Sequence, residues 1–246
     1  MKGKMTLLKL FRLDHQHPIS AWFAFLFGVL SVILTLSVGI PQLVHLIKTK
    51  KTQKETKFYS FWMFFTGVIG WMILGALDTN QTKMSATMFA NLISAFILST
   101  TIYFSYKYSE IKKRKKFALK ALIISLIVSA IAASISIWGY VKNIHMPVKL
   151  MAVLILIFPM LTSFSFLPGA IKSLEEKKFG GMSKVMLYTL LLLNLMWLGY
   201  WIFLGINRGD FDSNILTSIV WQSISISIYI SQVYLMILNR RKYNKL

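Results

Sequence analysis

Seven apolar stretches follow one another along the chain, separated by short polar segments. They cover residues 20–47, 58–77, 84–106, 117–140, 147–171, 182–206 and 212–239. A helix needs about 20 apolar residues to cross the hydrocarbon core of a bilayer, so each stretch is long enough to span a membrane. The first stretch is too long for the core of a signal peptide, and we expect it to stay in the mature protein. The pattern predicts an all-α membrane protein with seven transmembrane helices.

Composition agrees with this pattern. Hydrophobic residues make up 56% of the 246 residues and charged residues only 15%, with a mean hydropathy of +0.61. Seven spans leave only short loops and tails, so no separate soluble domain is expected. The chain contains no cysteine, which excludes disulfides, thiolate metal sites and cysteine nucleophiles.

The positive charge is unevenly distributed between the loops. Of the 28 Lys and Arg residues, 20 lie in or at the borders of the loops after the first, third and fifth stretches and in the C-terminal tail. Cationic loops remain on the cytoplasmic side, so the N-terminus is predicted to be outside and the C-terminus inside. The basic run at 112–116 then contacts anionic lipid on the cytoplasmic face, and no nucleic-acid partner is expected.

All eight acidic residues fall in loops or at helix ends, and no ionisable group is predicted at mid-membrane depth. Coupled pumps usually keep such a group inside the bundle, so its absence favours uncoupled passage of a neutral solute. No triad, carboxylate pair or metal-ligand cluster is found among the spans. We therefore expect neither an enzyme nor a cofactor.

Two three-helix units of the chain show the same spacing of polar residues. In the third stretch Asn91 precedes a tyrosine by twelve residues, and Gln222 does so in the seventh. Pro41 and Pro168 lie near the ends of the first and fifth stretches, each before a Lys-rich loop. The fourth stretch has no counterpart. The pattern predicts two parallel three-helix bundles joined by a linker helix, with a cavity between them.

These features divide the chain into five parts. They are an N-terminal tail (1–19), a first unit (20–106), a basic loop with the linker helix (107–146), a second, diverged unit (147–239) and a basic C-terminal tail (240–246).

Three motifs carry a resemblance to a known family. Pro41-Gln42 is followed by a Lys/Thr loop, then by the run GVIGWMILG at 67–75, then by Asn91 in the third stretch. The chain thus resembles the PQ-loop superfamily, and within it the SWEET and SemiSWEET sugar facilitators. It departs from the family in having Pro168-Gly169 where Pro-Gln is expected and Gln222 where a second Asn is expected.

The resemblance implies a role for eleven residues. The implied hinge residues are Pro41, Gln42 and Pro168; the implied substrate-binding residues are Trp71, Asn91, Trp197, Gln222, Asn194 and Trp201; and the implied gate residues are Tyr200 and Asp78. Trp197 and Trp201 compete for one position, the first by its distance from Pro168 and the second by its W-x-x-x-G match. The side-chain chemistry of the implied substrate-binding residues suits a sugar, because indole faces and carboxamides can hold neutral polyols.

The leading functional hypothesis is an uncoupled facilitator for a small neutral solute, a mono- or disaccharide, working by alternating access in a bacterial cell membrane. Two copies of the chain can associate as a homo-oligomer under this hypothesis. A PQ-loop carrier for an amino acid or a vitamin- or nucleoside-type metabolite is the first alternative. A non-transporting membrane receptor or sorting protein is the second.

Overall fold

The computed structural model describes residues 10–13, 17–52, 56–169, 171 and 183–243. The parts of the two predicted tails and basic loops at 1–9, 14–16, 53–55, 170, 172–182 and 244–246 lie outside the described residues. Within the described part the helices are α1 (Pro18–Ser37), α2 (Ile40–Thr49), α3 (Phe58–Ala76), α4 (Ser85–Lys107), α5 (Lys112–Lys116), α6 (Ala118–Val141), α7 (Val148–Phe164), α8 (Lys184–Arg208) and α9 (Ser213–Tyr243).

Seven helical segments are long and apolar enough to cross a membrane. They are Pro18–Thr49 (α1 with α2), Phe58–Ala76, Ser85–Lys107, Ala118–Val141, Val148–Gly169, Lys184–Arg208 and Ser213–Leu238. Each predicted boundary agrees with the structure to within two residues, and the predicted all-α fold with seven spans is confirmed. The protein is therefore a multi-pass integral membrane protein. Its orientation in the membrane stays a prediction.

The helices pack in two groups that face each other. In the first group α4 packs against both α1 and α3, and in the second group α9 packs against both α7 and α8. Between the groups, α1 packs along α8 and α3 packs along α7. The linker helix α6 lies against α3 and α4, at the side of the first group. The space between the groups is consequently bordered by helices of both groups.

Small residues bring α3 and α7 close together. A Cβ atom added at Gly70 would overlap the ring of Phe158, and one added at Gly67 would lie 3.0 Å from the backbone oxygen of Phe158. Close approach of this kind is the usual means by which helices associate in a membrane, where lipid is as apolar as the side chains. The two glycines, which the sequence places on one face of a helix, therefore determine how near the two groups can lie.

The loop between α3 and α4 is tied to the end of the linker helix. Lys83 Nζ donates hydrogen bonds to the carbonyl oxygens of Gly139, at 2.9 Å, and Ile144, at 2.8 Å. A cation at the C-terminal end of a helix is favourable, because unpaired carbonyl groups gather there. Burial lowers the pKa of the Lys83 ammonium, and the nearby Asp78 carboxylate opposes that shift by raising it. The contact connects α6 to the first helix group at the side predicted to face outward, called the outer side below.

Candidate functional site

A cavity of about 60 Å³ lies between the two helix groups. Its lining residues are Thr35, Val38, Phe64, Val68, Trp71, Thr87, Asn91, Thr162, Leu193, Asn194, Trp197, Trp201, Gln222, Ser225 and Tyr229. All six residues predicted to bind solute are among them, and both candidate tryptophans of α8 are included. That these residues bind a solute stays a prediction.

The lining combines apolar side chains with uncharged polar ones, and the lining residues that the structure describes include no Asp, Glu, Lys, Arg or His. Its polar groups come from both helix groups: Asn91 lies on α4, whereas Asn194 and Gln222 lie on α8 and α9. A site between the groups that both groups complete is suited to alternating access, since movement of one group against the other changes its exposure.

Two carboxamides in the cavity use their amide nitrogens within their own helices. Asn91 Nδ2 donates to the Thr87 carbonyl oxygen at 2.8 Å, and Asn194 Nδ2 donates to the Leu190 carbonyl oxygen at 2.7 Å. These bonds hold each amide group in one orientation and leave its oxygen as an acceptor. The pair therefore offers two fixed acceptors, one from each helix group, to a solute that carries hydroxyl groups.

Two further polar atoms at the cavity are buried without a hydrogen-bond partner among the described residues. They are the indole nitrogen Nε1 of Trp201 and the amide oxygen Oε1 of Gln222. Trp197 differs, because its Nε1 donates to Thr35 Oγ1 at 3.1 Å. Buried polar groups are normally paired, so an unpaired donor and an unpaired acceptor in one cavity indicate where a ligand or water is accommodated.

Aromatic rings form one end of the site. The indoles of Trp197 and Trp201 are stacked with 6.0 Å between ring centroids, and the ring of Tyr200 contacts both, at 5.4 Å and 5.0 Å respectively. Tyr200 does not line the cavity. It lies just outside the two indoles, and the aromatic contacts continue from the cavity wall toward the outer side.

Sequence reasoning missed three threonines that line the cavity, two of which occupy equivalent positions in the two units. Thr35 precedes Pro41 by six residues, and Thr162 precedes Pro168 by six residues. Their equivalent positions follow from the same proline alignment that selected the tryptophans. The signal is therefore present in the sequence, but it is weak, because threonines are common in membrane spans.

Each predicted hinge proline follows a break in its helix. The first span is interrupted at residues 38–39, before Pro41, and the fifth at residues 165–166, before Pro168. The two breaks lie at the same distance from their prolines. Proline cannot donate a backbone hydrogen bond, and a carbonyl group left without its helical partner must find another inside the membrane.

Hydroxyl groups of α4 donate hydrogen bonds to backbone carbonyl groups at the first break. Ser94 Oγ of α4 donates to the Thr35 carbonyl oxygen at 2.6 Å, and Thr101 Oγ1 donates to the Gly39 carbonyl oxygen at 3.3 Å. The break is thus stabilised without a continuous helix. In the second group Ser225 of α9 donates from its hydroxyl to Ser163 Oγ at 2.7 Å.

Ser94 and Ser225 occupy equivalent positions, each three residues after the amide residue Asn91 or Gln222. The third helix of each group therefore contributes both an amide to the cavity and a serine to the broken helix. The cavity and the helix breaks are thus connected through the same helix in each group.

We predict that Pro41→Ala slows transport at least tenfold without lowering thermal stability. Alanine restores the missing N–H group and has the highest helix propensity, so the first span can continue straight through the break. Initial uptake rate and melting temperature of the purified variant are the measurements. Pro147→Ala, which alters the residue preceding α7 on the outer side, is the matched control and should transport normally. Normal uptake by Pro41→Ala would contradict a hinge at this position.

Gln42, the second residue of the motif, contacts the other helix group. Its amide oxygen Oε1 accepts a hydrogen bond from the backbone nitrogen of Ser183 at 2.9 Å, and Ser183 caps the N-terminus of α8. This bond lies at the end of α8 opposite to Tyr200. Gln42 thus links the two groups on the side predicted to face the cytoplasm, whereas its predicted hinge role stays a prediction.

The predicted gate residues lie on the outer side, and both contact the N-terminal segment Leu10–Leu13. The Tyr200 hydroxyl donates to the Phe11 carbonyl oxygen at 2.9 Å. Asp78 forms an ion pair with Arg12, at 3.6 Å between Oδ2 and NH1. This part of the predicted N-terminal tail is therefore packed into the bundle. Sequence reasoning assigned it no such contact.

The fold is similar to that of a solved structure. A eukaryotic SWEET transporter, determined at 3.7 Å resolution, is similar to this chain with a TM-score of 0.54 and 12% sequence identity. The similarity covers 88% of this chain and 99% of that chain. The chain has a SWEET-like fold. No family model matches the sequence, and no curated protein matches it.

The SWEET-like fold accounts for the position of the cavity. A fold in which two helix groups face each other leaves internal space at their interface, and here that space is lined by amides, hydroxyls and indoles together with aliphatic and phenyl side chains. Fold similarity at this level of identity does not name a solute. The chemistry of the cavity is the evidence that bears on it.

Proposed function

We propose that this protein is an uncoupled facilitator that moves a small neutral solute, a mono- or disaccharide, across a bacterial cell membrane by alternating access. The observation that carries the proposal is the cavity between the helix groups, lined by amides and indoles from both of them. Sugars present apolar C–H faces and a rim of hydroxyl groups. The indoles of Trp71 and Trp201 suit the faces, and the oxygens of Asn91 and Asn194 suit the rim.

The absence of charge from the described cavity lining supports an uncoupled mechanism. A carrier driven by protons or sodium ions needs a group that binds the ion along the solute path. The described acidic residues lie outside the seven spans: Asp78, Glu110, Asp210 and Asp212 are in loops or at helix ends. Transport down the solute gradient requires no such group.

Uptake of labelled sugars into proteoliposomes tests the proposal. We expect uptake that stops at equilibrium with the external concentration, that shows counterflow, and that a proton gradient does not change. Trp71→Ala should reduce the initial rate at least tenfold, because the variant loses the apolar surface for the sugar ring. Trp138→Ala is the matched control, since Trp138 is 60% exposed on the linker helix. No uptake of any sugar, or equal rates for the two variants, would contradict the proposal.

A nucleoside-type solute is the second candidate, and the aromatic lining favours it. Three indoles and the ring of Tyr229 face one cavity, and the stacked pair of Trp197 and Trp201 offers a flat surface for a planar base. Competition decides between the two candidates. Inhibition of sugar uptake by nucleosides at lower concentrations than by unlabelled sugar would favour the second candidate over the first.

A further inference from the structure

We propose that the N-terminal segment Leu10–Leu13 is the closing element of the outer gate, and that Phe11 and Arg12 are its gating residues. The inference rests on the proposed function in one respect, that a solute passes through the outer side. Three contacts of the segment carry it, and together they involve α1, α8 and the loop after α3.

The first contact is a groove on α1 that receives the ring of Phe11. A Cβ atom added at Gly28 would lie 2.5 Å from Phe11 Cδ1, so only a glycine leaves room for the ring. The ring also packs edge-on against Phe25 and Tyr200, with centroid distances of 5.4 Å and 6.3 Å. Phe11 is 4% exposed. A phenylalanine near the chain terminus is therefore buried in the bundle rather than facing lipid or water.

The second contact is the hydrogen bond from the Tyr200 hydroxyl to the Phe11 carbonyl oxygen. Tyr200 in turn touches both indoles at the cavity wall. The rings of Phe11, Tyr200 and Trp201 consequently form an unbroken series from the segment to the cavity. A solute that leaves or enters by this route has to displace the segment.

The third contact is the ion pair between Arg12 and Asp78. Both side chains are buried, with 2% and 0% of their surface exposed, although both lie outside the spans. Asp78 Oδ1 accepts hydrogen bonds from the backbone and side chain of Asn80. Burying a charge is costly unless it is paired, so each of these residues holds the other in place.

The segment joins the two helix groups. Asp78 follows α3 of the first group, and Tyr200 lies on α8 of the second group. The outer ends of the groups cannot separate while both contacts persist. Arg12 also lines a polar cavity of about 280 Å³ on the outer side, with Asn80, Gln81, Thr82 and Arg208. The segment therefore lies between an outer polar vestibule and the aromatic wall of the central cavity.

Accessibility of an engineered cysteine tests the proposal without any knowledge of the solute. The chain has no native cysteine, so Leu193→Cys introduces a single thiol at the cavity. The reagent is a membrane-impermeant maleimide, which labels only thiols on the side of the membrane to which it is added. A separate variant, Gln81→Cys, carries its thiol in the loop on the outer side. The preparation in which this thiol is labelled, intact cells or inside-out vesicles, is the one used for Leu193→Cys. We expect slow labelling of Leu193→Cys in the otherwise unchanged protein, and labelling at least tenfold faster when Phe11→Ala and Arg12→Gln are added.

Two further variants make the result decisive. Tyr200→Phe removes only the hydroxyl that bonds Phe11 and should accelerate labelling about fivefold, and it decides the matter if the double variant fails to fold. Trp22→Ala is the control and should leave the labelling rate unchanged, because Trp22 lies near the N-terminal end of α1 and is 70% exposed. Unchanged labelling in folded Phe11→Ala/Arg12→Gln protein, judged by its melting temperature, would overturn the gate. Faster labelling without any sugar uptake would leave the gate standing and refute the proposed function.

Discussion

Asn91→Leu is expected to lower solute uptake about tenfold to a hundredfold while leaving the protein folded. Leucine has the same number and branching of side-chain heavy atoms, so it takes the place of the amide group but lacks its oxygen. A solute hydroxyl that enters the site then remains without its partner, at a cost of about 1–3 kcal/mol. The Asn91 amide nitrogen bonds only the Thr87 carbonyl oxygen of its own helix, so its removal disturbs no contact between helices.

Initial uptake rates in proteoliposomes measure this effect, with the amount of folded protein held equal. Thr100→Val is the matched control on the same helix. Its hydroxyl bonds the Phe96 carbonyl oxygen four residues earlier, as Asn91 does with Thr87, but Thr100 does not line the cavity. If both variants transport alike, Asn91 serves only to pack the helices and the assignment of the cavity fails.

Gly70→Ala is expected to destabilise the protein by about 1–3 kcal/mol, through overpacking between α3 and α7. The added methyl group would overlap the base of the Phe158 ring, which cannot move aside by a simple change at its far end. The melting temperature of the purified protein should fall by roughly 2 to 12 °C.

Two variants show whether that fall has the stated cause. Gly169→Ala is the control, since a Cβ atom there meets nothing within 4 Å, and its melting temperature should change little. Phe158→Ala combined with Gly70→Ala should recover part of the loss, because the smaller side chain leaves room for the methyl group. A loss in the double variant equal to the sum of the single losses would contradict direct contact.

The spans and the paired cavity residues were predictable from sequence for simple reasons. A lipid bilayer demands about 20 apolar residues per crossing, whatever the helix packs against. Equal spacing in two units places equivalent residues at equivalent heights, so the positions of Asn91 and Gln222 indicated a shared site. The choice between Trp197 and Trp201 could not be made this way, because they lie one helical turn apart and both face the cavity.

Contacts between segments that are far apart in the chain could not be predicted from the sequence. Nothing in the local sequence shows that Gly28 faces Phe11, because the two residues are brought together only when the segment folds back over the outer side. The role of Ser94 is hidden for a similar reason: its partner, the Thr35 carbonyl oxygen, lies 59 residues earlier in the chain.

By itself the sequence determined the number and the limits of the spans, the neutrality of their interior, and the pairing of proline and amide positions in two units. These properties follow from hydropathy and spacing, which do not depend on neighbours. The tertiary structure decided the rest: the cavity wall with its unpaired Trp201 and Gln222 atoms, the serines that support the breaks, and the burial of Arg12 against Asp78. Burial and pairing are properties of contacts between distant segments, and those contacts exist only after the helices pack.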